Sequence, residues 1–197
     1  ISSAFDSGNI RVVAEDGDRI DLEIVNDHLS DFYQWFHFRV AGAEGRPLEL
    51  RILNCAGSAY PNGWPGYKAR LSYDREDWVQ VQETSYEDGI LTIRFVAESD
   101  LVWLAYFAPY SMERHHDLVS AIAALPDVRY RSLGKSLDGQ DIDCLTLGEG
   151  PLTAWIYARQ HPGESMAEWF MEGALEKLVD PDDPVSRVLL RECTFHI

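Results

Sequence analysis

The chain of 197 residues sets 17 Lys and Arg against 33 Asp and Glu, a formal net charge of −16, which argues against a nucleic-acid role because phosphate neutralisation needs clustered cations. Hydrophobic residues make up 46% and aromatics 12%, a balance that forms a packed core and excludes bulk disorder. No apolar run approaches the roughly 20 residues of a membrane-spanning helix, and residues 1–10 carry neither the basic nor the apolar region of a secretory signal.

In chain order, the first half reads as short strands. Residues 19–25 alternate, with Ile20, Leu22 and Ile24 on one face and Asp21 and Glu23 on the other. Residues 32–40 place Phe32, Gln34, Phe36, Phe38 and Val40 on one side, opposite Tyr33, Trp35, His37 and Arg39. Residues 47–53 repeat the pattern through Leu48, Leu50 and Ile52, and further strands are expected within 67–73, 77–82, 90–96 and 101–107. Turn formers separate them, among them Asp16-Gly17, Gly45-Arg46-Pro47, Pro61-Asn62-Gly63 and Asp88-Gly89. Seven to nine strands at this spacing predict an antiparallel β-sandwich over residues 1–109. His37 is expected to be a core or edge histidine, and Trp64, Tyr67, Tyr73 and Trp78 to pack in the sandwich core and its turns.

Composition shifts near Pro109. A helix is expected from Ser111, which suits the N-cap, through Leu118, Ile122 and Leu125, with Glu113 at the positive end of the dipole. His115 and His116 are adjacent and point about 100° apart on a helix, so they are read as surface or interface residues. Asp138-Gly139 between two alternating runs signals a hairpin. Residues 152–158 form a continuous apolar run, the pattern of a strand buried on both faces. A second helix follows, its stripe expected at Met166, Trp169, Phe170 and the Gly173–Leu178 region, with its aromatics packed in the core. A third, short helix and an apolar strand at 194–197 complete the order. Strand–helix–strand succession predicts a parallel sheet, and residues 110–197 are expected to be the beginning of an α/β domain, cut short within its sheet. Cys55, Cys144 and Cys193 lie far apart in apolar contexts, expected as free thiols of a reducing cytoplasm.

One motif carries chemistry. His161 and Glu164 stand three apart where the apolar run gives way to the second helix. Zinc takes imidazole nitrogen and carboxylate oxygen, and strand ends in α/β sheets are where ligands bind. His161 in the loop and Glu164 in the first helical turn would converge on one metal ion. A glutamate near a helix start also serves the dipole, so spacing alone leaves both readings open.

The segment Ala158-Arg159-Gln160-His161-Pro162-Gly163-Glu164-Ser165 resembles the zinc-site signature of the M14 metallocarboxypeptidases, in the cytosolic carboxypeptidase subfamily. Residues 5–10, 63–78 and 106–118 resemble that subfamily's N-terminal sandwich and the lead-in to its catalytic domain, so the likeness spans nearly the whole chain. It implies a zinc-dependent exopeptidase that removes C-terminal residues from peptides or proteins, with His161 and Glu164 as the first two zinc ligands. The third ligand, the glutamate general base and the substrate-holding arginines are implied beyond Ile197, so no catalytic residue is assigned here and the isolated chain is expected to be inactive. Arg159 matches a motif arginine and is expected to make a structural salt bridge or hydrogen bond. His196 is read as a strand residue. A zinc deacylase of related fold and a non-catalytic sandwich that binds a partner are the competing readings; the appended sandwich favours the peptidase. A peptide or protein C-terminus is the implied partner, with neither nucleic acid nor membrane.

Overall fold

The computed structural model describes residues 1–197 and divides into two compact units, Ile1–Pro109 and Tyr110–Ile197. The first unit holds nine strands: β1 (Arg11–Asp16), β2 (Arg19–Glu23), β3 (His37–Ala41), β4 (Pro47–Ile52), β5 (Arg70–Ser72), β6 (Val79–Gln80), β7 (Thr84–Glu87), β8 (Ile90–Val96) and β9 (Leu101–Ala105). They form a five-stranded sheet, β1-β2-β4-β8-β7, and a four-stranded sheet, β3-β9-β5-β6. One core joins both sheets: Leu22, Leu50, Ile52, Leu91 and Ile93 from the first cluster with Phe38, Val40, Leu71 and Leu104 from the second. Each such side chain taken fully out of water contributes about 1.5–3 kcal/mol, which is why the alternation of Ile20, Leu22 and Ile24, all buried, sets the facing of β2.

Three features differ from the sequence reading. The sandwich is not wholly antiparallel: β2 and β4 pair in parallel, because the chain crosses to the other sheet to lay down β3 between them. Residues 32–36 are not strand; β3 begins at His37, and Phe32 is exposed. Strands β1 and β7 lie at the two edges of their sheet and are too polar to stand out as apolar alternation. Their hairpins were nevertheless marked. Asp88 and Gly89 join β7 to β8 with φ of 50° and 84°, the paired left-handed residues a two-residue hairpin needs.

Trp64 is fully buried, its Nε1 donating to the Cys55 carbonyl at 3.0 Å and to Ser58 Oγ at 2.8 Å. Tyr67 stacks on Tyr106 with centroids 5.1 Å apart. Both side chains belong to the core and its turns, as expected.

In the second unit, β10 (Arg129–Lys135), β11 (Asp141–Leu147), β12 (Leu152–Trp155) and β13 (Cys193–His196) form a sheet of order β10-β11-β13-β12. The first two pairings are antiparallel, and β12 runs parallel to β13. Helices α1 (Met112–Ala123) and α2 (Met166–Leu178) bring Ile122, Met171 and Leu175 onto Leu145 and Leu147 of β11. Helix α1 starts where Ser111 accepts a hydrogen bond from the Arg114 amide at 3.2 Å. Helix α3 (Pro184–Glu192) is capped by Asp183, which accepts from the Ser186 amide at 2.7 Å, with Pro184 in the first turn. Gly148 and Gly150 let the chain pass against the start of β13: a β-carbon on Gly150 would meet the Glu192 carbonyl carbon at 1.9 Å.

Within residues 1–197, β12 pairs with β13 alone and leaves Leu152 and Trp155 exposed. One expectation for this unit fails. The buried stripe of α2 is Met171, Leu175 and Leu178, whereas Met166 and Phe170 face solvent. A helix apolar on several faces leaves its phase ambiguous, and the sheet selects the 171–175–178 face. No helix is long and apolar enough to cross a membrane.

Candidate metal-binding turn

Strand β12 ends at Trp155, and the Ile156 amide makes one more bond to the His196 carbonyl at 2.9 Å. The chain then leaves the sheet. Arg159 adopts the left-handed region, φ 57°, which redirects the backbone into a tight turn closed by the Glu164 amide on the His161 carbonyl at 2.9 Å. Glu164 therefore precedes α2 instead of standing in its first helical turn; its carbonyl accepts from Ala167 at 3.0 Å as the helix begins.

This turn brings the two motif side chains together. His161 Nδ1 lies 3.1 Å from Glu164 Oε1, and the two side chains are 80% and 51% exposed. Both are open to a ligand from solvent. Zinc–nitrogen and zinc–oxygen bonds of about 2.0–2.2 Å in tetrahedral geometry put neighbouring donors roughly 3.3–3.5 Å apart. The observed separation is close to that edge, so the pair fits two corners of a zinc site. The set stops at two: no group of three or more His, Cys, Asp and Glu side chains suited to a metal forms anywhere in the 197 residues.

Arg159 is not idle. Its Nε donates to the Pro162 carbonyl at 3.0 Å and its Nη1 to the Tyr110 carbonyl at 2.9 Å. That is the structural hydrogen bonding expected of it, one bond within the motif turn and one to the segment before α1.

The other histidines are occupied elsewhere. His196 lies in β13, its Nδ1 3.0 Å from Thr146 Oγ1 and its ring 4.4 Å from that of Trp155. His37 is buried. Its Nδ1 meets Ser7 Oγ at 2.9 Å, while Nε2 has no partner. Burial, helped by the nearby Arg75 charge, lowers its pKa to about 3. His115, read as a surface or interface residue, is half-buried between elements of its unit. Its Nε2 lies 2.9 Å from Asp143 Oδ2 and its Nδ1 3.6 Å from Glu168 Oε2, so one imidazole joins α1 to β11 and α2. Glu168 foremost, then Asp143, raises its pKa against the opposing effect of burial. The signal was present: 115, 118, 119 and 122 share one helical face. His116, its ring 5.8 Å from that of His115, makes no such bridge.

A cleft of 780 Å³ lies in the first unit, among Leu48, Tyr73, Val79, Arg94 and Glu98. It includes neither His161 nor Glu164.

A family model of the cytosolic carboxypeptidase N-terminal domain matches residues 1–107. An uncharacterized protein of Zymomonas mobilis is 59% identical over the whole chain, which spans 52% of that relative. Human cytosolic carboxypeptidase 4 is 28% identical over 99% of the chain, which spans 22% of it. Among solved structures, a metallo-carboxypeptidase from Burkholderia cenocepacia superposes with a TM-score of 0.95 at 42% identity, over all of this chain and 54% of its own. One from Pseudomonas aeruginosa, in complex with (2-guanidinoethylmercapto)succinic acid, gives 0.93 at 42% identity, over 99% of this chain and 53% of its own. The chain thus spans about half the length of these bacterial proteins, and it belongs to the cytosolic carboxypeptidase N-terminal domain family.

Proposed function

We propose that the chain forms part of a zinc metallocarboxypeptidase that removes C-terminal residues from peptides or proteins in the cytoplasm. The observation that carries this reading is the His161–Glu164 pair, two zinc-type donors 3.1 Å apart at the end of a parallel strand. Kinship with metallo-carboxypeptidases supports it. When bound, zinc would supply Lewis acidity towards a scissile carbonyl.

This chain's residues do the holding. His161 offers ring nitrogen and Glu164 carboxylate oxygen. The i to i+3 turn keeps both donors on one side of the backbone, and their exposure leaves room for further ligands and for substrate. Two donors alone make a weak site, and hydrolysis also needs a positioned base.

The test is zinc titration of the 197-residue protein alongside His161→Ala and Glu164→Ala, with assays on C-terminally blocked and unblocked peptides. We expect zinc binding that each substitution reduces at least tenfold, and no release of C-terminal amino acids by the 197 residues alone. Binding indifferent to both substitutions would remove the site, and zinc-dependent turnover would refute the inactivity of this piece.

A further inference from the structure

We propose that Arg159 is a positioning residue for the His161–Glu164 pair: by bridging the Tyr110 and Pro162 carbonyls, its guanidinium sets the pair's affinity for zinc. The inference rests on the metal reading above and adds to it a residue that touches neither metal nor substrate.

The first observation is conformational. Arg159 holds φ at 57°, a region that non-glycine residues other than Asn and Asp rarely occupy. A side chain that wanted only solvent would gain nothing from that backbone. Here it turns the guanidinium back over the loop that follows.

The second observation is the pair of bonds. Nε reaches the Pro162 carbonyl at 3.0 Å and Nη1 the Tyr110 carbonyl at 2.9 Å. Donors of a charged group make stronger hydrogen bonds than neutral ones. The peptide oxygen of Pro162 lies between the two ligand residues in sequence, so fixing it fixes the plane of a peptide on the path from His161 to Glu164.

The third observation is the anchor. Tyr110 is 1% exposed, its ring packs edge-on against Trp169 of α2 at 5.1 Å, and it immediately precedes the α1 cap. One end of the bridge is therefore held by the fold, and the other holds an exposed turn. Without the bridge, the solvent-exposed ligands must be ordered when the metal arrives, and ordering weakens binding. The planar fork of arginine presents donors in fixed directions, which a lysine ammonium cannot reproduce.

The experiment follows the His161 ring resonances by NMR during zinc titration of the full chain, for wild type, Arg159→Gly and Arg159→Lys, with His161→Ala as the reference for loss of the site. Glycine accepts the left-handed backbone freely, so Arg159→Gly removes the guanidinium without changing what the turn demands. We expect about a tenfold rise in Kd for Arg159→Gly and little recovery with Arg159→Lys. Millimolar guanidinium added to Arg159→Gly should restore part of the affinity, and urea at the same concentration should not. If Arg159→Gly loses helix content, Arg159→Asn, which also tolerates this backbone, is judged by the same criterion. Zinc affinity within twofold of wild type in the glycine or asparagine variant would overturn the proposal. A wild-type protein whose His161 ring ignores zinc would overturn the metal reading and this inference with it.

Discussion

Acidification should unfold the sandwich through His37. The ring is 1% exposed, bonded through Nδ1 to Ser7 and orphaned at Nε2, with Phe5, Trp78 and Trp103 packed around it at 4.8, 5.7 and 5.9 Å. Its pKa falls to about 3, first through burial and then through Arg75, against about 6.5 in an unfolded chain. Between those values the unfolded state binds a proton that the native state refuses, so stability rises with pH. The contribution is whole above pH 6.5 and is lost as pH falls towards 3. Linkage gives a loss of about 2 kcal/mol at pH 5 and about 3 kcal/mol at pH 4. For a unit of this size, about 2 kcal/mol moves a urea midpoint by roughly 1 M. Urea unfolding at pH 7, 5 and 4, compared with His37→Phe, isolates the effect, because the many carboxylates act in both proteins. The phenyl ring keeps an aromatic surface for its neighbours, loses the Ser7 bond and cannot be protonated. Wild type should lose midpoint on acidification relative to the variant by these amounts. Parallel curves, or a His37 ring resonance that titrates near 6.5, would refute the reasoning.

His115 should act with the opposite sign. Its raised pKa, from Glu168 and Asp143, means that the native state holds the proton more tightly than the unfolded chain, so its contribution is complete below about pH 6.5 and is lost as pH rises through the native value. Urea melts from pH 5.5 to 8.5 should show that slope in wild type and not in His115→Gln. Gly150→Ala, whose β-carbon would sit 1.9 Å from the Glu192 carbonyl carbon, should cost about 3 kcal/mol or more as read by thermal melting, since backbone must move to admit it.

What the sequence disclosed follows from which forces are local. Strands β2 and β4 were legible because their alternation, through Leu22, Leu50 and Ile52, matches a sheet with one buried face. The hairpins at Asp88-Gly89 and Asp138-Gly139 were legible because left-handed turns restrict residue type. The pairing of β12 was not legible, since an apolar run carries no mark of its partner, and β13, which runs parallel to it, arrives after two intervening helices. His37 was read as a core or edge histidine and is a core one; nothing in the alternation shows that both faces of β3 are covered, as its burial beside Phe36 and Phe38 requires.

The same distinction divides the candidate site. His161 and Glu164 are three residues apart, and one turn closed by a single backbone hydrogen bond sets their side chains together, so their convergence was legible from spacing, although spacing alone does not assign them a metal. The bond from Arg159 to Tyr110 spans 49 residues, and the bridge from His115 to Asp143 spans 28; neither leaves a local pattern. Both join the start of α1, or α1 itself, to parts of the chain that form later in sequence, and α2 directly follows the ligand turn. A turn so exposed gains little order from burial. The tie it does have to a buried neighbour runs through Arg159, from the Pro162 carbonyl to that of Tyr110, and the proposed positioning role rests on that local bridge and not on the net charge of the chain.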